Sequence, residues 1–148
     1  MITPLTSFDK LSPGQEFDFG SIRMELDEIL DFARRWDPQP FHIDAEAAAA
    51  GPFGGLIASG LHTQAACFSH IIRSGWVARV SMGGAEQLVR WPAPVRPGDE
   101  LAIAARIEAL TPSRSKPDRG VAKVLYTGRR VSDGAVVLEI LGTHILRR

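Results

Sequence analysis

The sequence predicts an α+β fold, an antiparallel sheet wrapped around one long central helix, in a single domain over residues 1–148. Three observations carry that expectation. Helical periodicity occupies the first half of the chain, and period-two alternation fills most of the second. One stretch, residues 60–74, is apolar beyond a single stripe, as a helix buried on several sides would be. A length of 148 residues suits one substantial core, with no internal repeat, linker or low-complexity segment to divide it.

Each element has its own signal. "EFDFGSIRM" alternates weakly, and Gly20 in its middle predicts a bulge or bend in a first strand. "MELDEILDFARRWD" places Leu26, Ile29, Leu30, Ala33 and Trp36 at helical spacing. Pro38 disfavours helical angles at Asp37 and so ends that helix. A short helix over residues 44–50 follows, with Asp44 able to cap it. Leu61, Ala65, Phe68 and Ile72 then form the apolar stripe of the central helix, with Ser59 as its N-cap and Gly75 as its stop. At residues 60–74 that helix would be roughly 22 Å long.

From residue 79 onward the chain reads as strands, and about five antiparallel strands are expected in all. Leu101, Ile103, Ala105 and Ile107 alternate with partly polar neighbours. "WPAPVRPGDEL" reads as a Pro-rich connection that turns at Gly98-Asp99. "VAKVLYTGRRV" and "VVLEILGTHIL" flank "SDGA", where Asp133-Gly134 predicts a type I′ hairpin turn.

Composition excludes several classes of function. Lys+Arg and Asp+Glu balance at 17 each, so no global field draws nucleic acid or an acidic membrane surface. Cys67 is the only cysteine, which excludes an internal disulfide and any multi-cysteine metal site. The N-terminal residues lack a basic stretch followed by an apolar run, and no segment approaches the roughly 18 apolar residues of a membrane helix. The expectation is a cytoplasmic protein with neither a nucleic-acid nor a membrane partner.

The chemistry concentrates in "DPQPFHID", residues 37–44. Asp37 falls at the C-terminal end of a helix, where the dipole raises a carboxyl pKa and favours a general base. An Asx-Pro turn accounts for the same residue without chemistry. His42 is the natural acid–base group by its pKa, or else an ordinary loop histidine. Five extended residues separate the two backbones by about 16 Å, so the Pro38-Gln39-Pro40 segment must turn back for both to share a water. His62, in the first turn of the central helix, reads as structural, as do His70 and His144. Cys67 reads as a core thiol. His42 and Asp44 make only two metal ligands, so no metal is expected. Arg114, Lys116 and Arg119 read as a solvated loop, with coenzyme A phosphates as the alternative.

These blocks resemble the MaoC-like dehydratases, which include the R-specific enoyl-CoA hydratases. Asp37, Pro40, His42 and Asp44 fit the family's Asp-x-Asn-Pro-x-His-x-Asp signature, Ile57 and Gly60 its Ile-x-x-Gly turn, and Pro94, Val95, Gly98 and Asp99 its Pro-Val-x-x-Gly-Asp segment. Gln39 stands in place of the usual asparagine, and Ser59 in place of a common histidine. Arg35 and Trp36 replace small residues and would reshape the acyl pocket. The resemblance implies a hotdog fold working as a homodimer or higher homo-oligomer. It further implies that Asp37 and His42 activate the water that adds to a trans-2-enoyl thioester of coenzyme A or acyl carrier protein. The product would be an (R)-3-hydroxyacyl thioester, and the thioester would be substrate, with no cofactor.

The resemblance assigns the thioester oxygen to the Gly60 amide, with Ser59 and Gln39 beside the substrate. Physics supports the amide: with the Ser59 side chain capping Leu61 or His62, it stays free at the positive end of the helix dipole. Glycine would also let substrate approach the backbone closely, or would merely ease packing at the helix start. Two rival activities stand beside hydration. One is a thioesterase on the same fold, the other an acyl-thioester binder without catalysis.

Overall fold

In the computed structural model, which describes residues 1–148, the chain runs through five strands and four α-helices, after a 3-10 turn at Phe8–Lys10. These are β1 (Glu16–Arg23), α1 (Leu26–Trp36), α2 (Pro40–Ile43), α3 (Ala45–Ala50), α4 (Gly60–Arg73), β2 (Ser81–Arg90), β3 (Glu100–Pro112), β4 (Arg119–Arg130) and β5 (Val136–Arg147). The strands form one antiparallel sheet in the order β1-β3-β4-β5-β2, so β2 crosses over to the far edge. The expected α+β architecture, a sheet curved around a central helix, is the hotdog fold.

Local chemistry explains most boundaries. Gly20, at φ +76°, produces the predicted irregularity in β1 between Asp18 and Ser21. Asp37 leaves helical angles as Pro38 requires, its N–H still donating to Ala33 O at 2.9 Å. Asp44 caps α3 by accepting from the amides of Glu46 and Ala47 at 3.0 and 3.1 Å. One element lies outside expectation. Pro40 opens the single turn α2, because its fixed φ suits a first helical position.

Two sequence expectations need correction. Asp133-Gly134 is not a type I′ turn, since no residue other than glycine has positive φ. The loop spans residues 131–134 instead, with Arg130 N–H donating to Ala135 O at 2.9 Å and only Gly134 left-handed at φ +72°. Asp133 accepts from Arg130 and from the Ala135 amide, which stabilises this longer loop. The second correction concerns α4. Its buried face carries Thr63, Cys67 and Ile71, whereas Leu61 and Ile72 of the expected stripe are 48% and 47% exposed.

The core lies between α4 and the inner sheet face, where Leu101, Ile103, Ala105, Ile107, Val124, Leu138 and Ile140 are all buried. Trp76, just beyond α4, closes one end against Phe17 and Phe19 of β1. At the other end α1, α2 and the start of α4 converge, and there the candidate residues meet.

Candidate active site

The turn after α1 resolves the spacing problem posed by the sequence. Gln39 N–H donates to Asp37 O at 2.8 Å, and His42 N–H donates to Gln39 O at 2.9 Å. These two bonds fold the Pro-flanked segment back on itself. His42 Nε2 therefore lies 3.3 Å from Asp37 Oδ2. The ring is 4% exposed, wedged edge-on against Phe41, and its Nδ1 meets Ile57 O at 2.7 Å. That carbonyl requires a proton on Nδ1, so the neutral ring presents its lone pair at Nε2 toward Asp37. Two acceptors so close call for a shared donor, and one water seated beside the pair, on the cleft side, can give a hydrogen to each.

The Asp37 carboxylate is held as an anion. Ser59 Oγ donates to Oδ2 at 2.6 Å and Gln39 Nε2 donates to Oδ1 at 2.8 Å. The Ser59 bond chiefly lowers the Asp37 pKa; burial opposes it, and Gln39 and His42 lower it further. The helix end does not make this group more basic, contrary to the sequence expectation. Hydrogen bonds to the charged form outweigh the cost of burial.

Ser59 is fully buried and makes no side-chain cap on α4, another departure from expectation. Its hydroxyl is committed to Asp37, so the amides opening α4, that of Gly60 among them, receive no capping acceptor from it. The missing Cβ of Gly60 has a specific reason. A Cβ there would lie 2.6 Å from Trp91 Cε2, and Trp91 Nε1–H donates to Gly60 O at 2.9 Å. The space beside Gly60 is thus taken by an indole from the β2–β3 connection.

Asp37, Gln39, His42 and Gly60 all line one cleft of about 410 Å³. Its walls come from Phe53, Ile57, Trp91, Val95 and Val137, with Thr63 from α4. A larger concavity of about 690 Å³ lies on the outer sheet face between Glu16 and Glu139, away from these groups. Trp91 and the carbonyl of Ile57 escaped sequence reasoning. The first is remote in the chain, and the second is a backbone group without a side-chain signal.

The remaining candidates lie elsewhere. Trp36 is 62% exposed beneath Arg35 and does not line the cleft, so that pair leaves the pocket unnarrowed. His62 stacks on Phe32 at 4.9 Å in a groove between α1 and α4. His70 Nε2 contacts Phe19 O at 2.8 Å, and the Cys67 thiol is pushed up to about 12 by burial. Arg119 pairs with Asp118, in the β3–β4 connection, at the opposite end of the strands from Val137 in the cleft wall. No helix is long and apolar enough to cross a membrane.

Fold and site together define a hotdog protein with an acid–base cleft at the mouth of its central helix. Residues 9–128 match the MaoC like domain family, and the chain belongs to that family. A MaoC-like dehydratase from Rhodospirillum rubrum is 39% identical and superposes with a TM-score of 0.88 over 95% of both chains. The (R)-hydratase from A. caviae involved in PHA biosynthesis is 25% identical, with a TM-score of 0.69 over 93% of this chain and 96% of that one. The Bacillus subtilis protein YdeM is 35% identical over 120 residues, which is 80% of this chain and 84% of that protein. Family and neighbours support hydratase or dehydratase chemistry in general.

Proposed function

We propose that this chain adds water reversibly to a trans-2-enoyl thioester, of coenzyme A or acyl carrier protein, to give an (R)-3-hydroxyacyl thioester. The observation that carries the reading is the 3.3 Å approach of Asp37 Oδ2 and His42 Nε2 in the cleft that Gly60 also lines. A water bridging the two acceptors is fixed in position and polarised. As its oxygen bonds to C3, His42 Nε2 takes one proton, while Asp37, kept ionised by Ser59 and Gln39, stabilises the imidazolium. The C2=C3 π pair shifts to join C1 and C2 while the carbonyl π pair moves onto the thioester oxygen, where the Gly60 amide offers its hydrogen. His42 then returns the proton to C2, and the reverse sequence expels water.

Hydrogen bonds to a developing oxyanion supply roughly 2.7–4 kcal/mol each in other acyl chemistry. We also read the chain as one half of a homodimer, since β2 is an unpaired edge and α4 leaves Leu61 and Ile72 half exposed.

The test follows loss of the conjugated enoyl absorbance alongside release of free thiol. Asp37→Asn and His42→Ala should each lower turnover by about 10²-fold or more, the usual weight of general acid–base catalysis. Near-normal turnover in both variants overturns the assignment. Thiol release with no hydrated product would make the chain a thioesterase, and saturable binding without either reaction a carrier of acyl thioesters.

A further inference from the structure

A second cavity, of about 200 Å³, lies farther along α4. Phe68, which lines it, follows Gly60 by eight residues, roughly 12 Å along the helix axis. Gln64, Phe68 and Ile72 succeed one another at four-residue spacing and so share one side of α4. Gln64 Nε2 donates to Gln87 Oε1 at 2.8 Å, and Gln87 also lines the cavity. Along α4, Gln64 falls four residues after Gly60, which lines the cleft, and four before Phe68, which lines the second chamber.

The chamber is mostly apolar, with Val124, Trp76 and Leu146 in its walls, but it contains a built polar pair. Tyr126 OH lies 3.0 Å from His144 Nε2. The His144 ring leans back over Gly142, where a Cβ would come within 2.5 Å of Nε2. Glycine at that position is what lets the imidazole reach the tyrosine.

Hydrogen counting gives the pair a spare donor. A tyrosine and a neutral histidine together carry two polar hydrogens, and their mutual bond uses one. Whichever tautomer holds, the other remains, on His144 Nδ1 or on the tyrosine oxygen, and neither residue makes another side-chain hydrogen bond within the chain. His144 is only half-buried and its Nδ1 is not sealed from solvent, so an oxygen on a bound tail can take the place of water at the spare donor. Burial lowers the His144 pKa and raises that of Tyr126, so both stay neutral and suit an uncharged oxygen better than a carboxylate.

We propose that this cavity takes the far end of the acyl group, and that Tyr126 and His144 select tails bearing a hydroxyl or carbonyl oxygen over alkyl tails of equal length. The inference rests on the acyl-thioester reading of the cleft, though not on its hydration chemistry. Its test is calorimetric titration of the wild-type chain with saturated acyl-CoA thioesters, which cannot be hydrated. Terminal hydroxyl and terminal methyl tails are compared at matched length, across a series of lengths. At the length that reaches the cavity the hydroxyl ligand should bind about fivefold more tightly, the scale of one net hydrogen bond. In the double variant Tyr126→Phe/His144→Phe the ratio should fall to about one.

Equal or weaker hydroxyl binding at every length overturns the inference, as does a preference that survives the double variant. The wild-type comparison decides even if that variant does not fold. A selective binder without hydratase turnover keeps the inference and removes the reaction. An unselective hydratase does the reverse.

Discussion

Asp37 is an acid that its neighbours keep ionised. Ser59 Oγ and Gln39 Nε2 each occupy one carboxylate oxygen, and the resulting pKa lies below the ordinary value of 3.8. Removing the hydroxyl in Ser59→Ala deletes a charge-assisted bond of about 1.5–3 kcal/mol. The Asp37 pKa should then rise, seen by carboxyl NMR titration, and an unchanged value would count against the role given to Ser59. The sign for stability follows from the same shift. The folded pKa is depressed, so the stabilisation is complete above the unfolded value and is lost as pH falls through the folded one. Below pH 3.8 the wild-type chain should therefore lose stability over its last steps of acidification more steeply than Ser59→Ala, as denaturant midpoints measured against pH would show. At this scale the sequence exposed the Asp37–His42 pair but not its supports. The fit of Asp37 and His42 to a signature was visible, whereas the Ser59 hydroxyl carried two equally reasonable uses, cap or partner. Only the approach of α1 to α4 selects the second.

The elements were legible wherever a local rule decides them. Pro38 ending α1, Gly20 bending β1 and Gly75 stopping α4 act within a few residues, and the structure places all three as expected. Tertiary approach decides the rest. The face α4 buries and the indole over Gly60 both depend on chain segments far away in sequence. The connection between β2 and β3 shows this best, because it reads as a Pro-rich link and proves to be a wall of the cleft. Arg130 Nη1 donates to Pro94 O at 2.8 Å and to Asp99 Oδ2 at 3.1 Å, and Arg96 Nη2 donates to Phe53 O at 2.6 Å. Arg130 and Asp99 are 15% and 19% exposed, so their pairing is partly shielded from water. Arg130→Met should cost about 1–3 kcal/mol by stranding these acceptors, measured by chemical denaturation. Faster amide exchange in residues 91–99, with a rise in KM larger than the fall in kcat, would mark Arg130 as positioning the wall. Unchanged exchange there would reduce it to a surface ion pair. Gly60→Ala probes the same wall from the other side. Its Cβ would have to displace the Trp91 ring from 2.6 Å, costing about 1–3 kcal/mol if the indole cannot swing aside. An increase in Trp91 exposure to collisional quenching, judged against Trp91→Phe, would report that displacement.

For the whole molecule, one chain leaves two features uncovered, and on these the proposed homodimer rests. Along β2 only Met82 and Val89 are even partly covered, and the strand's outer edge has no partner. Beside it, α4 shows Leu61 and Ile72 about half exposed, an unusual state for the central helix of a small fold. A second copy related by a two-fold axis would satisfy both, since an antiparallel strand edge is self-complementary and residues on α4 would meet their counterparts. The two features lie on one side of the chain, so a single interface would cover them. The sequence pattern shares in this explanation. Leu61, Ala65, Phe68 and Ile72 looked like one core stripe because they are apolar at core spacing; Phe68 does pack on the core, while Leu61 and Ile72 would show the same signature if a second chain covered them. The wild-type chain should sediment as a dimer at micromolar concentration. Ile72→Arg, far from Asp37 along α4, places a charge in the expected contact and should shift the population toward monomer by about tenfold or more in dissociation constant, as a buried unpaired charge costs several kcal/mol. If wild type and variant sediment alike as monomers, the exposed stripe on α4 has another purpose, and the edge strand is protected by some means other than pairing.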